Sequence, residues 1–97
     1  MKLFPGNFPE YKKRHYRIWP ELSALLKNSG IREYSIFFDE ATNTLFATLK
    51  IQDEVVLQKL AQELIMKKWW TYMKDLMETN EDDSPVTTTL QEVFYMP

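Results

Sequence analysis

Apolar and aromatic residues at Phe8, Tyr11, Ile18, Trp19, Leu22, Leu25 and Leu26, with His15 in the same series, keep the three-to-four spacing of one helix face. Pro20 interrupts that series. It biases Trp19 away from helical torsions and suits Glu21 and its followers to a fresh first turn, so the pattern predicts two helical pieces, the second ending near Asn28-Ser29-Gly30. Ahead of them, Leu3 and Phe4 precede the turn signal Pro5-Gly6-Asn7 and read as a very short strand. The period then changes to two. Ile31 to Asp39 and Thr44 to Ile51 are rich in Tyr, Ile, Phe and Thr and flank Glu40-Ala41-Thr42-Asn43, which predicts an antiparallel hairpin.

Helical spacing returns after Asp53, a capping residue, through Val56, Leu57, Leu60, Ala61 and Leu64, and continues through Trp69, Trp70, Tyr72, Met73, Leu76 and Met77. Thr79 to Pro85 reads as an exposed loop, and Val86 to Tyr95 as a closing strand in which Leu90, Glu92 and Phe94 alternate with Gln91, Val93 and Tyr95. The order strand, helix, strand, strand, helix, strand predicts a ferredoxin-like α+β fold, βαββαβ, with two helices on one face of a four-stranded antiparallel sheet. Alternation puts Tyr34, Ile36 and Phe38 on one strand face and Ser35 and Phe37 on the other, so neither face is plainly polar. A second copy packed sheet against sheet covers the free face, which predicts a homodimer with a pocket between sheet and helix in each subunit. No repeat or linker divides residues 1–97, which read as one domain.

Composition narrows the chemistry. With 97 residues, 44% of them hydrophobic and 14% aromatic, the chain has the apolar surface for a core and for a lined pocket. A formal net charge of −2 with dispersed basic residues argues against nucleic acid or an anionic membrane as partner. There is no cysteine and one histidine, which excludes thiolate and histidine-rich metal sites. Glu81-Asp82-Asp83 offers carboxylates, but a charge run bounded by Ser84-Pro85 is a solvated loop. No apolar stretch has the length of a signal peptide or a membrane span, and the expected location is the cytoplasm.

His15 is the only side chain that titrates near neutral pH without a perturbed environment. Tyr11 lies four residues earlier, so a helix stacks phenol and imidazole on one face, within reach of one small molecule. The plain alternative is a packed histidine at the edge of an apolar stripe. Trp69 and Trp70 diverge by about 100° around a helix, so both cannot face the same core fully and one belongs at a pocket or interface. Indole faces stack on the C–H surface of a sugar, and ordinary packing is the competing reading. Tyr34 is a weaker third candidate, on a sheet face that can turn toward the helix of His15.

Taken together, Tyr11, His15, Ile18-Trp19-Pro20-Glu21-Leu22, Tyr34, Trp69-Trp70 with Tyr72-Met73, Ser84-Pro85-Val86 and Leu90 to Tyr95 closely resemble the L-rhamnose mutarotase family over nearly the whole chain. The resemblance implies a dimeric ferredoxin-like α/β barrel that interconverts the α and β anomers of L-rhamnose without metal or organic cofactor. It implies His15 as proton donor and Tyr11, Tyr34, Trp69 and Trp70 as sugar-binding residues. Family members usually carry several residues before the stretch matching Met1-Lys2-Leu3, so either the start codon lies upstream or the first strand is shortened in this form. Dimeric barrels of this kind also include cofactor-free oxygenases and haem-degrading enzymes, in which a lone histidine serves as axial ligand; that is the alternative function.

Overall fold

A computed structural model describes all residues from Met1 to Pro97. From Phe8 to Leu76 its elements follow the predicted order: α1 (Phe8–Tyr16), α2 (Pro20–Asn28), β1 (Arg32–Asp39), β2 (Thr44–Lys50), α3 (Val55–Leu60) and α4 (Leu64–Met73), which runs into a 3₁₀ turn at Lys74–Leu76. The break between α1 and α2 falls where Pro20 requires it. Trp19 takes extended torsions, φ −59° and ψ 131°, and Pro20 stands at the start of α2, where its missing N–H costs no helical bond. Gly30 ends α2 with φ +88°, a left-handed conformation in which a side chain would be strained. The N-cap of α3 is Glu54 and not the expected Asp53, whose carboxylate instead accepts the Val55 N–H at 3.0 Å in the turn that leads into the helix.

The sheet differs from the expectation. Only β1 and β2 form a ladder, antiparallel with Phe37 opposite Phe46 and Phe38 opposite Leu45. The predicted first strand survives as single bridges. Leu45 N–H donates to the Met1 carbonyl at 2.7 Å and Leu3 N–H to that of Asn43 at 2.9 Å, which lays the N-terminal segment along β2. On its other side, Glu78 N–H donates to Lys2 at 3.0 Å and Phe4 N–H to Leu76 at 2.8 Å, and Leu3 bridges Met77. The place beside the opening segment is therefore taken by the residues around Met77, directly after the 3₁₀ turn, and not by Val86 to Tyr95. The chain then folds back at Thr79 to Pro85, where these two residues bridge.

The expected closing strand from Val86 to Tyr95 is not formed within the chain. A strand needs a neighbour to satisfy its backbone and cover its side chains. Beyond Val86, whose N–H donates to the Glu78 carbonyl at 3.3 Å, this segment has none: Leu90, Val93, Phe94 and Tyr95 are all largely exposed. Alternation in sequence gave it the pattern of a strand, but pairing is a tertiary property, and the place beside the opening segment is occupied by the residues around Met77.

The core lies between the helices and the inner face of the hairpin. Leu3, Tyr11, Leu22, Leu45, Trp69, Met73, Leu76 and Met77 are buried together, with Ile36, Phe38 and Leu26 packed against them. Leu22 is the most enclosed at 1% exposure, a burial worth about 1.5–3 kcal/mol. Phe8 from α1 stacks on Phe38 from β1, with ring centroids 4.3 Å apart and planes within 6°, fastening the first helix to the sheet. The outer face of the hairpin keeps Phe37 and Phe46, cross-strand partners, in the open.

Candidate functional site

Helix α1 presents Tyr11 and His15 one turn apart, and their rings lie 4.3 Å apart at 31°. His15 Nδ1 is 3.1 Å from the Tyr11 carbonyl oxygen. A carbonyl only accepts, so Nδ1 carries the hydrogen and Nε2 holds the lone pair when the ring is neutral. Burial disfavours the charged ring and lowers the His15 pKa below its usual 6.5, more than the bond to the Tyr11 carbonyl raises it. At neutral pH the imidazole is thus a free base with a fixed tautomer.

Trp69 on α4 meets His15 edge to face, 5.4 Å between centroids at 86°. Its own ring is held by Trp19, 5.1 Å away at 86°, and by Tyr72 at 5.7 Å. Trp69 is nearly buried, whereas Trp70, the next residue around the helix, is only half-buried. The divergence expected for adjacent helical residues is what separates them.

These groups open onto one cleft of about 690 Å³, within the range of small-molecule sites. Tyr11, His15, Tyr34, Trp69 and Trp70 all line it, so the structure brings every residue proposed from sequence to one cavity. Tyr34 reaches it from β1 just after an irregularity: Arg32 pairs with Lys50 but Ser35 with Thr48, so β1 holds one extra residue, and Glu33 sits in the left-handed region at φ +50°. Such a bulge re-aims the side chains around it, and Glu33 and Tyr34 both line the cleft. Tyr34 is partly exposed along the cleft, and desolvation there raises its pKa. Tyr11 is raised well above the ordinary phenol range by burial, with a smaller contribution from Tyr34 facing it. Both phenols therefore stay protonated and act as hydrogen-bond donors as well as acceptors. No enclosed side-chain nitrogen or oxygen of a buried or half-buried residue lacks a partner, so the Tyr11 hydroxyl is not stranded in the core.

Lys12 and Met66 also line the cleft and were not singled out by the sequence. Met66 lies one turn before Trp70, a spacing that could have pointed to it. Lys12 follows Tyr11 directly and carries no periodic signal. No group of three His, Asp or Glu side chains stands close enough to hold a metal ion. The acidic run at Glu81-Asp82-Asp83 is engaged locally: Asp82 accepts from the Ser84 N–H and hydroxyl, and Asp83 accepts from the Thr71 hydroxyl at 2.9 Å.

Comparison with known proteins agrees with the geometry. The family model described as "rhaM: L-rhamnose mutarotase" matches residues 1–96. An L-rhamnose mutarotase of Formosa agariphila is 54% identical over 96 residues, covering 99% of this chain and 92% of the relative. Those of Bacteroides thetaiotaomicron and Listeria monocytogenes are 52% and 49% identical with the same coverage. The crystal structure of an L-rhamnose mutarotase from Formosa agariphila superposes with a TM-score of 0.92 at 52% identity, covering 100% of this chain and 93% of the other. A chain that matches these proteins almost end to end, with a histidine, two phenols and two indoles lining one cleft, belongs to the L-rhamnose mutarotase family.

Proposed function

We propose that His15 carries the proton in the interconversion of the α and β anomers of L-rhamnose, the reaction of an aldose mutarotase, while Tyr11, Tyr34, Trp69 and Trp70 hold the sugar. The observation that carries this reading is the Nδ1 bond to the Tyr11 carbonyl, which leaves a basic Nε2 in a cleft lined by phenols and indoles. Anomer exchange needs a proton moved from the anomeric hydroxyl to the ring oxygen. Nε2 takes the hydroxyl proton, the C1–O5 electron pair goes to the ring oxygen as C1 becomes an aldehyde, and the imidazolium donates its proton to that oxygen. His15 is thus base and then proton donor. Rotation about C1–C2 turns the other aldehyde face to the hydroxyl, and the same steps in reverse close the ring on the opposite anomer. Both oxygens are bonded to C1, so one nitrogen can serve them in turn.

The protonated phenols suit the remaining work. Each can donate to a sugar hydroxyl or to negative charge developing on O1, and the indoles offer apolar faces to the ring C–H groups. Positioned acid–base catalysis supplies about 10²–10⁴-fold, enough for a reaction that already runs slowly in water. Addition of the protein to L-rhamnose at equilibrium is expected to increase saturation transfer between the two anomeric proton signals. No increase over buffer refutes the activity.

The assembly is proposed to be a homodimer of the α/β-barrel type. Its support is the open Phe37–Phe46 face of the hairpin together with the exposed apolar segment from Leu90 to Met96, neither covered within one chain. Light scattering should give twice the mass of the 11.6 kDa chain; the mass of one chain refutes it. No helix is long and apolar enough to cross a membrane, and a cytoplasmic location is proposed with the sugar as intracellular substrate.

A further inference from the structure

Arg14 adjoins His15 on α1 but points the other way. Its Nε donates to Glu10 at 3.1 Å, Nη1 donates to the Tyr72 carbonyl at 2.7 Å and to Asp75 at 2.9 Å, and Nη2 reaches the second Asp75 oxygen at 3.2 Å. The guanidinium carbon stands 4.4 Å from the Tyr72 ring centroid. The side chain is only 13% exposed, although both carboxylates that hold it face solvent. A surface arginine with one ion pair contributes little. A fork bound on three sides and laid over an aromatic ring is a fixed joint.

What the joint holds is the back of the site. Tyr72 packs on Trp19 at 5.5 Å and on Trp69 at 5.7 Å, and Trp69 stands edge-on to His15. The path from Arg14 through Tyr72 and Trp69 to His15 returns to Arg14 through one peptide bond, so it is closed. We infer that Arg14 is a positioning residue for anomer exchange: it locks Tyr72 and Trp69 against His15, and so fixes the imidazole at the cleft. The inference rests on the proposed role of His15. Packing behind a catalytic group matters because small displacements of that group lower the rate of the chemical step more than they weaken substrate binding.

The test compares Arg14→Met, Arg14→Lys and Tyr72→Leu with the wild type by saturation transfer at increasing L-rhamnose, below the melting temperature of each variant. The expected result is a kcat at least tenfold lower for Arg14→Met and Tyr72→Leu with KM changed less than threefold, and no recovery in Arg14→Lys, which keeps the charge but lacks the fork. A second readout is the His15 ring C–H titration by NMR, which should move up toward 6.5 as the loosened rings admit water. The titratable groups sharing the cleft with His15 are Tyr11, Lys12, Tyr16, Lys27, Glu33 and Tyr34, all unchanged in these variants. Variants that are only less stable, with wild-type kcat and an unmoved His15 titration, overturn the inference. If Arg14→Met does not fold, Tyr72→Leu decides alone, because it removes the aromatic bridge and no charge. A wild type without exchange refutes the mutarotase reading, whereas an active wild type with unaffected variants refutes only the positioning role.

Discussion

The acid limb of the pH profile follows from the surroundings of His15. Burial lowers its pKa below 6.5, and the Tyr11 carbonyl only partly compensates. The free base is the form that starts the reaction, so kcat/KM should be on its plateau at pH 7, keep more than half of the plateau value at pH 6.5, and fall tenfold per unit only below the depressed pKa. Stability carries the same signature. Between the folded pKa and 6.5, the unfolded chain binds more protons at this position than the folded one, so stability rises with pH through that window and is complete above it. The slope for one proton cannot exceed about 1.4 kcal/mol per pH unit. Urea unfolding at half-unit intervals from pH 4.5 to 7.5, for wild type and His15→Gln, isolates this contribution because other groups titrate alike in both. The difference in slope between the two should be positive in that window and vanish above it. A kcat/KM midpoint above 6.5, or a His15→Gln slope equal to that of the wild type, refutes the buried free base.

Leu22→Ala empties the most enclosed core position and should cost about 2–5 kcal/mol, read as a lower urea midpoint with an unchanged m-value. Trp70→Leu should raise KM for L-rhamnose by about tenfold, corresponding to ~1.4 kcal/mol of lost contact, with little change in unfolding. Trp69→Ala, at a buried position among three rings, should instead destabilise the fold by about 3–5 kcal/mol. Urea unfolding of the two tryptophan variants separates Trp70, a half-buried cleft wall, from Trp69, which lines the cleft and also builds the core; equal losses of stability refute the distinction.

The helices were legible because their signals are local. Pro20 and Trp19 set the break between α1 and α2, Gly30 ended α2, and the four-residue spacing of Tyr11 and His15 put both rings on one face. The hairpin was legible for the same reason. The fate of Val86 to Tyr95 was not, because alternation states which faces a strand would have and says nothing of what it pairs with; here the neighbouring place belongs to residues near Met77. Tyr34 could be assigned a face from alternation, but the extra residue at Glu33 that adjusts its aim leaves no mark in the composition. Arg14 was hidden too. Its (i, i+4) relation to Glu10 is visible in the sequence, yet its partners Tyr72 and Asp75 lie about sixty residues away.

The central claim is that His15 moves the proton, and saturation transfer between the anomeric protons of L-rhamnose with His15→Ala and His15→Gln tests it most directly. Both variants should bind the sugar, as shown by line broadening of its resonances, and both should lose about 10²–10⁴-fold of the protein-dependent exchange rate. Exchange at the wild-type rate in a folded His15→Ala protein would contradict the account.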